Sequence, residues 1–109
     1  MKSLSQEDFA RLSKTAYLPR DYLGWLAENG WGEIGDSRYM LYSSPIPLQE
    51  IHEGAPEHLW AFGDDFSGYC GCFSDKEDQG IIEWESSSFS ATPTGLRFSE
   101  YIAQYAQAL

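Results

Sequence analysis

His52 and His58 are the two side chains of this 109-residue chain best suited to general acid-base chemistry. A catalytic histidine needs a nucleophile, a second acid or a metal that converges on it. The chain contains no Gly-x-Ser-x-Gly segment, no His-Glu-x-x-His segment and no phosphate-cradling glycine loop followed by Lys. The sequence therefore predicts no catalytic residue and no bound cofactor.

Cys70 and Cys72 form a Cys-x-Cys pair, whose thiols could join each other or hold a metal ion. On a β-strand, residues two apart point to the same face, in a geometry that does not favour a mutual disulfide. A structural zinc site needs four ligands, and no second Cys or His pair completes such a set. We expect two buried, reduced thiols that bind no metal.

Carboxylates are concentrated in two short segments, Asp64-Asp65 and residues 75–78. Neighbouring residues of an extended chain point in opposite directions, so Asp64 and Asp65 do not form the carboxylate pair of a glycosidase. Segment 75–78 lacks the alternating acids, central Gly and distal Glu of a helix-loop-helix calcium site. We expect turns exposed to water at both places.

Acidic residues dominate the charge, which is −10 at neutral pH. Four of the seven cations lie in the first twenty residues, whereas ten acids and one cation, Lys76, lie between Glu50 and Glu85. This middle region should repel nucleic acid, because phosphate binding needs Lys and Arg, and should attract basic surfaces. The alternative is that the acids only keep the chain in solution.

Periodicity and turn residues predict the elements that carry these groups. Helices are expected at 5–14, where Ser5 is the cap, at 19–29, which begins at Pro19 and ends at Asn29-Gly30, and at 98–109. Strands are expected at 39–42, 59–62, 69–73 and 81–84, with a short helical turn at 48–51. Residues 31–38 are expected to form a loop. Pro45 and Pro47 are expected to end the first strand, because proline interrupts the hydrogen bonds of a sheet. Phe89 could anchor one more short strand.

The predicted fold is α+β, a single domain over residues 1–109. It is a twisted antiparallel β-meander of about four to five strands, with N-terminal helices and a C-terminal helix packed on it. Four residues are expected to form the core, namely Leu26, Trp60, Phe62 and Phe98. No apolar run approaches the roughly 20 residues of a membrane span, and the N-terminus lacks the apolar stretch of a signal peptide. The cytoplasm is therefore the expected location.

Three segments together resemble the SUKH superfamily, which includes bacterial immunity proteins and yeast cell-wall-synthesis regulators. The first is LPRDYLGWL at 18–26, followed by Asn29-Gly30-Trp31-Gly32. The second is WAFGDD at 60–65 with Gly68-Tyr69, and the third is FSEYI at 98–102. Their order and spacing are similar to the family's helix, strand-turn and closing-helix patterns, and they span about residues 5 to 105.

The resemblance implies a protein-binding module, an immunity protein that neutralises a toxin domain, such as a nuclease, by sitting on it. The alternative is a regulatory or scaffold protein of the same fold that has no toxin. An acidic surface fits either role with a basic partner, because it speeds capture electrostatically. The residues expected to contact the partner are those of the two acidic turns and one exposed loop, namely Asp64, Asp65, Asp75, Glu77, Asp78 and Trp31.

Overall fold

A computed structural model describes residues 2–15, 18–76 and 80–106 of the chain. Its four helices are α1 (Gln6–Ser13), α2 (Arg20–Asn29), α3 (Leu48–Ile51) and α4 (Phe98–Ala106). Its six strands are β1 (Gly32–Ile34), β2 (Tyr39–Pro47), β3 (Leu59–Asp64), β4 (Tyr69–Ser74), β5 (Ile82–Glu85) and β6 (Ser90–Pro93). Leu109, which was expected to continue the apolar stripe of the last helix, lies outside the described residues.

The ends of the first two long helices follow from local chemistry. The Ser5 side chain accepts the backbone N–H of Asp8 at 3.1 Å and so satisfies one donor that the first turn of α1 leaves free. Helix α2 starts one residue later than predicted, because Pro19 is its cap rather than its first residue. It ends at Asn29 and is followed by Gly30, whose φ of 80° lies in the left-handed region that a residue with a Cβ avoids.

The six strands form one antiparallel sheet in the order β1-β2-β3-β4-β5-β6, so each strand pairs with its neighbours along the chain. This meander confirms the predicted fold class, with one or two strands more than expected. Side chains of successive residues leave opposite faces of such a sheet. Helices α1, α2 and α4 cover one face, here called the helix face, and α3 with the segment after it covers part of the other.

The structure corrects two expectations about strands. Part of the predicted loop at 31–38 is β1, whose Ile34 pairs with Tyr39 across a hairpin. The expectation for the prolines is right in part, since Pro47 is the last residue of β2 but Pro45 lies within the strand. The register with β3 jumps between Leu41 and Ile46, so residues 42–45 bulge opposite a single residue of β3. A bulge is where a sheet tolerates proline, because the ladder hydrogen bonds are already interrupted there.

Aromatic rings fill the core of the helix face. The ring centroid of Phe62 lies 4.6 Å from that of Phe73 and 5.3 Å from that of Phe98. Tyr22 of α2 lies 4.9 Å from Phe73 and 5.0 Å from Phe98, both edge to face. Such pairs contribute about 0.5–1.5 kcal/mol beyond their buried area. These rings join α2 and α4 to the two central strands.

The opposite face carries a smaller core beneath α3. Its buried members are Leu48, Ala55, Leu59, Ala61, Cys70, Cys72 and Trp84. Cys70 and Cys72 leave the same face of β4, as the spacing predicted, and both are buried and unpaired.

Trp60 is a correction to the predicted core. Leu26, Phe62 and Phe98 are at most 2% exposed, as expected, but Trp60 is only partly buried. Its indole N–H donates to Asp75 Oδ2 at 3.1 Å. The tryptophan at the centre of a core is instead Trp84, which is 1% exposed.

We predict that Phe62→Ala lowers the free energy of unfolding by about 3–5 kcal/mol, because it leaves a cavity among five rings. Phe66→Ala is the matched control, since Phe66 is 53% exposed and should change stability by about 0.5 kcal/mol or less. Urea titration of both variants measures the difference. Similar midpoints for the two variants would refute this account of the core.

Candidate partner-binding surface

Three hairpin turns lie together at one end of the sheet. They are residues 35–38 between β1 and β2, 65–68 between β3 and β4, and 86–89 between β5 and β6. In an antiparallel meander alternate connections fall at the same end, and turns two strands apart are about 10 Å from one another. We call these twelve residues the turn surface.

The backbone of the turn surface is unusual. Four residues other than glycine have positive φ among those described, and all four belong to these turns: Asp36 (56°), Ser37 (66°), Phe66 (66°) and Phe89 (54°). Asp tolerates this region through local hydrogen bonds, whereas a bulky side chain is disfavoured there by about 1–2 kcal/mol. Two of the three turns therefore hold a phenylalanine where glycine would be less strained.

Both of these phenylalanines face water. Phe66 is 53% exposed and Phe89 is 51% exposed. The ring of Phe89 rests edge-on against buried Trp84, with centroids 4.7 Å apart. Exposed aromatic residues held in a fixed position are typical anchors of protein interfaces. Sequence reasoning missed both, although an aromatic residue among Asp, Ser and Gly turn residues is a visible signal.

Asp64 is half-buried and shapes the turn that carries Phe66. Its Oδ2 accepts the hydroxyl of Tyr42 at 2.6 Å, and its Oδ1 accepts the backbone N–H of Phe66 at 2.9 Å. Burial and this carboxylate raise the pKa of Tyr42 well above its usual value. Asp64 is therefore more than a free surface charge, contrary to the expectation of a simple water-exposed turn.

Asp65 stabilises the same turn through local hydrogen bonds. Its Oδ1 accepts the backbone N–H groups of Ser67 at 2.9 Å and Tyr69 at 3.1 Å. Its own N–H donates to the carbonyl of Tyr69 at 3.1 Å. These bonds fix the loop without a partner, which lowers the entropy that binding would otherwise cost.

The second and third turns are joined to each other. Ser86 donates its N–H to the carbonyl of Gly68 at 3.0 Å, and the hydroxyl of Tyr69 donates to Glu85 Oε2 at 2.8 Å. The bond to Glu85 is the largest cause of the raised pKa of Tyr69, with smaller contributions from the charges of Glu83 and Asp65. Phe66 and Phe89 are thus held on one connected framework beside several carboxylates.

Acids outnumber cations around the turn surface. Exposed Glu33 lies just before the first turn and exposed Asp36 lies within it. Hydrogen bonds from Ser88 and Tyr69 lower the pKa of Glu85. Arg38 is the cation of these turns, and its guanidinium lies 5.9 Å from the ring centre of Tyr105. The surface therefore presents apolar rings within a field of negative charge.

The remaining predicted contact residues are elsewhere. Asp75 is at the opposite end of β4, where its N–H donates to the carbonyl of His58 at 3.0 Å. Glu77 and Asp78 lie outside the described residues. Trp31 is at the start of β1, away from the first turn, and its ring lies under the ammonium of Lys2 at 5.1 Å. The structure thus brings Asp64 and Asp65 together with the two phenylalanines, but not Asp75 or Trp31.

Cys70 and His52 are the closest approach to a catalytic pair. The sulfur of Cys70 lies 3.8 Å from His52 Nε2. A nucleophilic thiol needs a depressed pKa, whereas burial, with help from the charges of Asp64 and Asp65, raises the pKa of Cys70 to about 11. The thiol of Cys70 is therefore protonated at neutral pH. The contact between Cys70 and His52 is better described as side-chain packing than as a nucleophile with its general base.

Comparison with known proteins gives no relative, since no family, no curated protein and no solved structure matches the chain. Within residues 2–15, 18–76 and 80–106, His, Cys, Asp and Glu nowhere gather in a group of three that could hold a metal ion. In the same part of the chain, none of the helices has the length and apolar character needed to cross a bilayer.

We predict that Phe66→Gly stabilises the fold by about 0.5–1 kcal/mol, because glycine adopts positive φ without strain and the exposed ring has little packing to lose. Phe66→Ala keeps the strain and should not gain stability. Thermal or urea unfolding distinguishes the two variants. A glycine variant clearly less stable than the alanine variant would show that this backbone is not strained.

We also predict that both thiols of the folded protein resist a thiol-specific disulfide reagent at neutral pH and react fully in urea. A pKa of about 11 for Cys70, above the ordinary 9.0, means that burial favours the neutral thiol. The stabilisation that comes from burying the thiol in its neutral form is complete below the ordinary pKa. It is lost as pH rises through the pKa of the folded state. Rapid labelling of the native protein at neutral pH would instead indicate an activated thiol.

Proposed function

We propose that this chain is a protein-binding domain that docks through its turn surface onto a basic partner. The observation that carries the proposal is the pair of exposed rings, Phe66 and Phe89, held at positive φ on a framework of hydrogen bonds. Backbone strain persists only where the surrounding structure imposes it, and it clusters at functional sites. Glycine at these positions would favour the fold, so the rings are best explained by binding.

The charge of the surface indicates the chemistry of that partner. Asp36 and Asp65 belong to the turn surface, and Asp64 and Glu85 are the strand residues directly before two of its turns. Such a field attracts Lys and Arg side chains and accelerates association, while the rings supply the affinity once water is displaced. The same field opposes nucleic acid, because it repels phosphate.

A toxin domain is the partner that the SUKH resemblance implies, and we propose that the chain neutralises one by covering a basic functional surface. Many nucleases bind phosphate through Lys and Arg, and an acidic surface can imitate that substrate. The proposed role needs no catalytic group of its own. It requires a rigid surface that is complementary in charge to the toxin.

The experiment begins with capture of partners from the native cell, using the parent chain as bait. A captured protein is then expressed in a test host alone and together with the parent chain. We expect it to be basic and toxic by itself, and harmless when the parent chain is present. A partner that binds but is not toxic would favour the regulatory or scaffold alternative.

Two sets of variants then test the surface. Phe66→Ser with Phe89→Ser should weaken binding by about 2 kcal/mol or more and abolish protection, whereas Ile51→Ser changes an exposed apolar residue of α3 and should do neither. Neutralising Asp36, Asp64 and Asp65 to Asn should slow association about tenfold at low salt. Glu28, Glu53 and Glu57 changed to Gln remove the same charge elsewhere and form the control.

Stopped-flow association at low and high salt measures the charge effect. The Asn variant and the parent should converge as salt rises, because the Debye length falls to about 3 Å at 1 M. Asn keeps one side-chain oxygen, which can still accept the backbone N–H groups of the turn that Asp64 and Asp65 bind. At position 64 the amide NH2 replaces the second oxygen and can donate to the hydroxyl of Tyr42, so we expect the fold to be retained. If the serine and Asn variants bind and protect like the parent, the contact lies elsewhere on the domain.

A further inference from the structure

The two edges of the sheet are closed to different degrees. The edge next to β1 is partly covered by the start of the chain, because Lys2 and Trp31 exchange backbone hydrogen bonds of 2.9 and 2.8 Å. No strand of the part of the chain that the structure describes pairs with the outer edge of β6, and all four residues of β6 are exposed. Proteins usually cover such an edge or give it charged side chains, because it is a template for another strand. The strand Ser90–Pro93 carries no charge.

The hydrogen bonds beside β6 show which of its peptide groups face outwards. Thr94 donates its N–H to the carbonyl of Ile81 at 2.9 Å, so the peptide groups of this pair lie between the two strands. Hydrogen-bonded and non-hydrogen-bonded pairs alternate along an antiparallel ladder, and Thr92 therefore also faces β5. Ala91 turns its N–H and its carbonyl towards the open edge. Pro93 faces the same way and offers its carbonyl, while its missing N–H leaves the pairing with β5 intact.

Carboxylates line the helix face beside this edge. Glu83 and Glu85 of β5 pair with Thr92 and Ser90 of β6. The hydroxyl of Tyr101 of α4 donates to Glu83 Oε2 at 3.3 Å, which places this carboxylate on the helix face. A strand added beyond β6 would lie about 10 Å from β5. Lys and Arg side chains are long enough to reach the carboxylates from there, because the two β6 side chains in between are short.

The opposite face of the same edge is apolar. Trp84 pairs with Ala91, and Ile82 pairs with Pro93. Trp84 belongs to the core beneath α3, and Ile82 packs against that core. Phe89, the residue directly before β6, rests on the Trp84 ring. The open edge therefore starts at the turn surface and continues its combination of apolar and acidic groups.

We propose that β6 binds an extended segment of the partner as an added strand, and that Lys or Arg alternates with apolar residues in this segment. Side chains of a strand alternate between two faces, so the basic residues would lie near Glu83 and Glu85 and the apolar residues beside Ala91. Strand addition takes its affinity from main-chain hydrogen bonds and its specificity from alternate side chains. A second copy of the chain is a poor occupant, because two chains of charge −10 repel each other. The inference rests on the proposed function and specifies the part of a basic partner that the domain contacts.

The first test is an NMR titration of the whole chain with the peptide acetyl-Lys-Val-Lys-Val-Lys-Val-amide. We expect saturable shifts for the amides of residues 83–85 and 90–92, and protection of the Ala91 amide from hydrogen exchange. A peptide of the same composition, with its lysines first and its valines last, has the same charge without the alternation and should not saturate. Absence of saturable shifts at several millimolar of the alternating peptide would overturn the proposal.

Methylated peptides separate strand pairing from attraction between charges. A valine opposite Ala91 turns its N–H towards β6, whereas the neighbouring lysines turn theirs away. Methyl groups on the valine nitrogens should therefore weaken binding about tenfold, while methyl groups on the lysine nitrogens should leave it within about twofold. Equal weakening by both modifications would refute strand pairing.

Variants of the chain extend the test to the whole captured partner. Ala91→Pro removes the outward N–H without touching the bonds to β5 and should weaken binding about tenfold, whereas Ala91→Ser keeps the N–H and should bind like the parent. Urea midpoints verify the fold of both variants, and the methylated peptides decide the question if the proline variant unfolds. A partner that needs Phe66 and Phe89 but tolerates Ala91→Pro would overturn this inference and leave the proposed function standing.

Discussion

Close contact between aromatic rings and glycine backbone on the helix face is the constraint on which the rest of the fold depends. A Cβ on Gly71 of β4 would lie 2.5 Å from Phe62 Cζ and from the hydroxyl of Tyr39. A Cβ on Gly63 of β3 would meet the Tyr39 ring at 2.6 Å. Because these two positions carry no side chain, the rings rest on the sheet and leave room for α4 above them. Overpacking of this kind costs about 1–3 kcal/mol, so the two glycines determine where the helices sit.

The order of the strands in the meander places three turns close together. Each strand pairs with the next one along the chain, so three hairpin turns from separate parts of the sequence reach the same end of the sheet. The carboxylates of Asp64, Asp65 and Glu85 accept hydrogen bonds that fix two of these turns. The cores on the two faces hold the strands in register, and this register sets the spacing of Phe66 and Phe89. Binding at such a surface requires little reorganisation, which favours affinity.

The sequence by itself determined the helices, the order of the central strands, the antiparallel fold class and the shared face of Cys70 and Cys72, because these depend on local spacing and on neighbouring segments. It also pointed to the turn at Asp64 and Asp65. Only the tertiary structure decided that β1 forms, that β2 bulges around Pro45 and resumes pairing at Ile46, and that Trp84 rather than Trp60 is central to a core. It also decided that Phe66 and Phe89, which belong to separate turns, lie at the same end of the sheet. The physical reason is that register, bulges and cross-strand packing depend on contacts between distant residues, which no local pattern encodes.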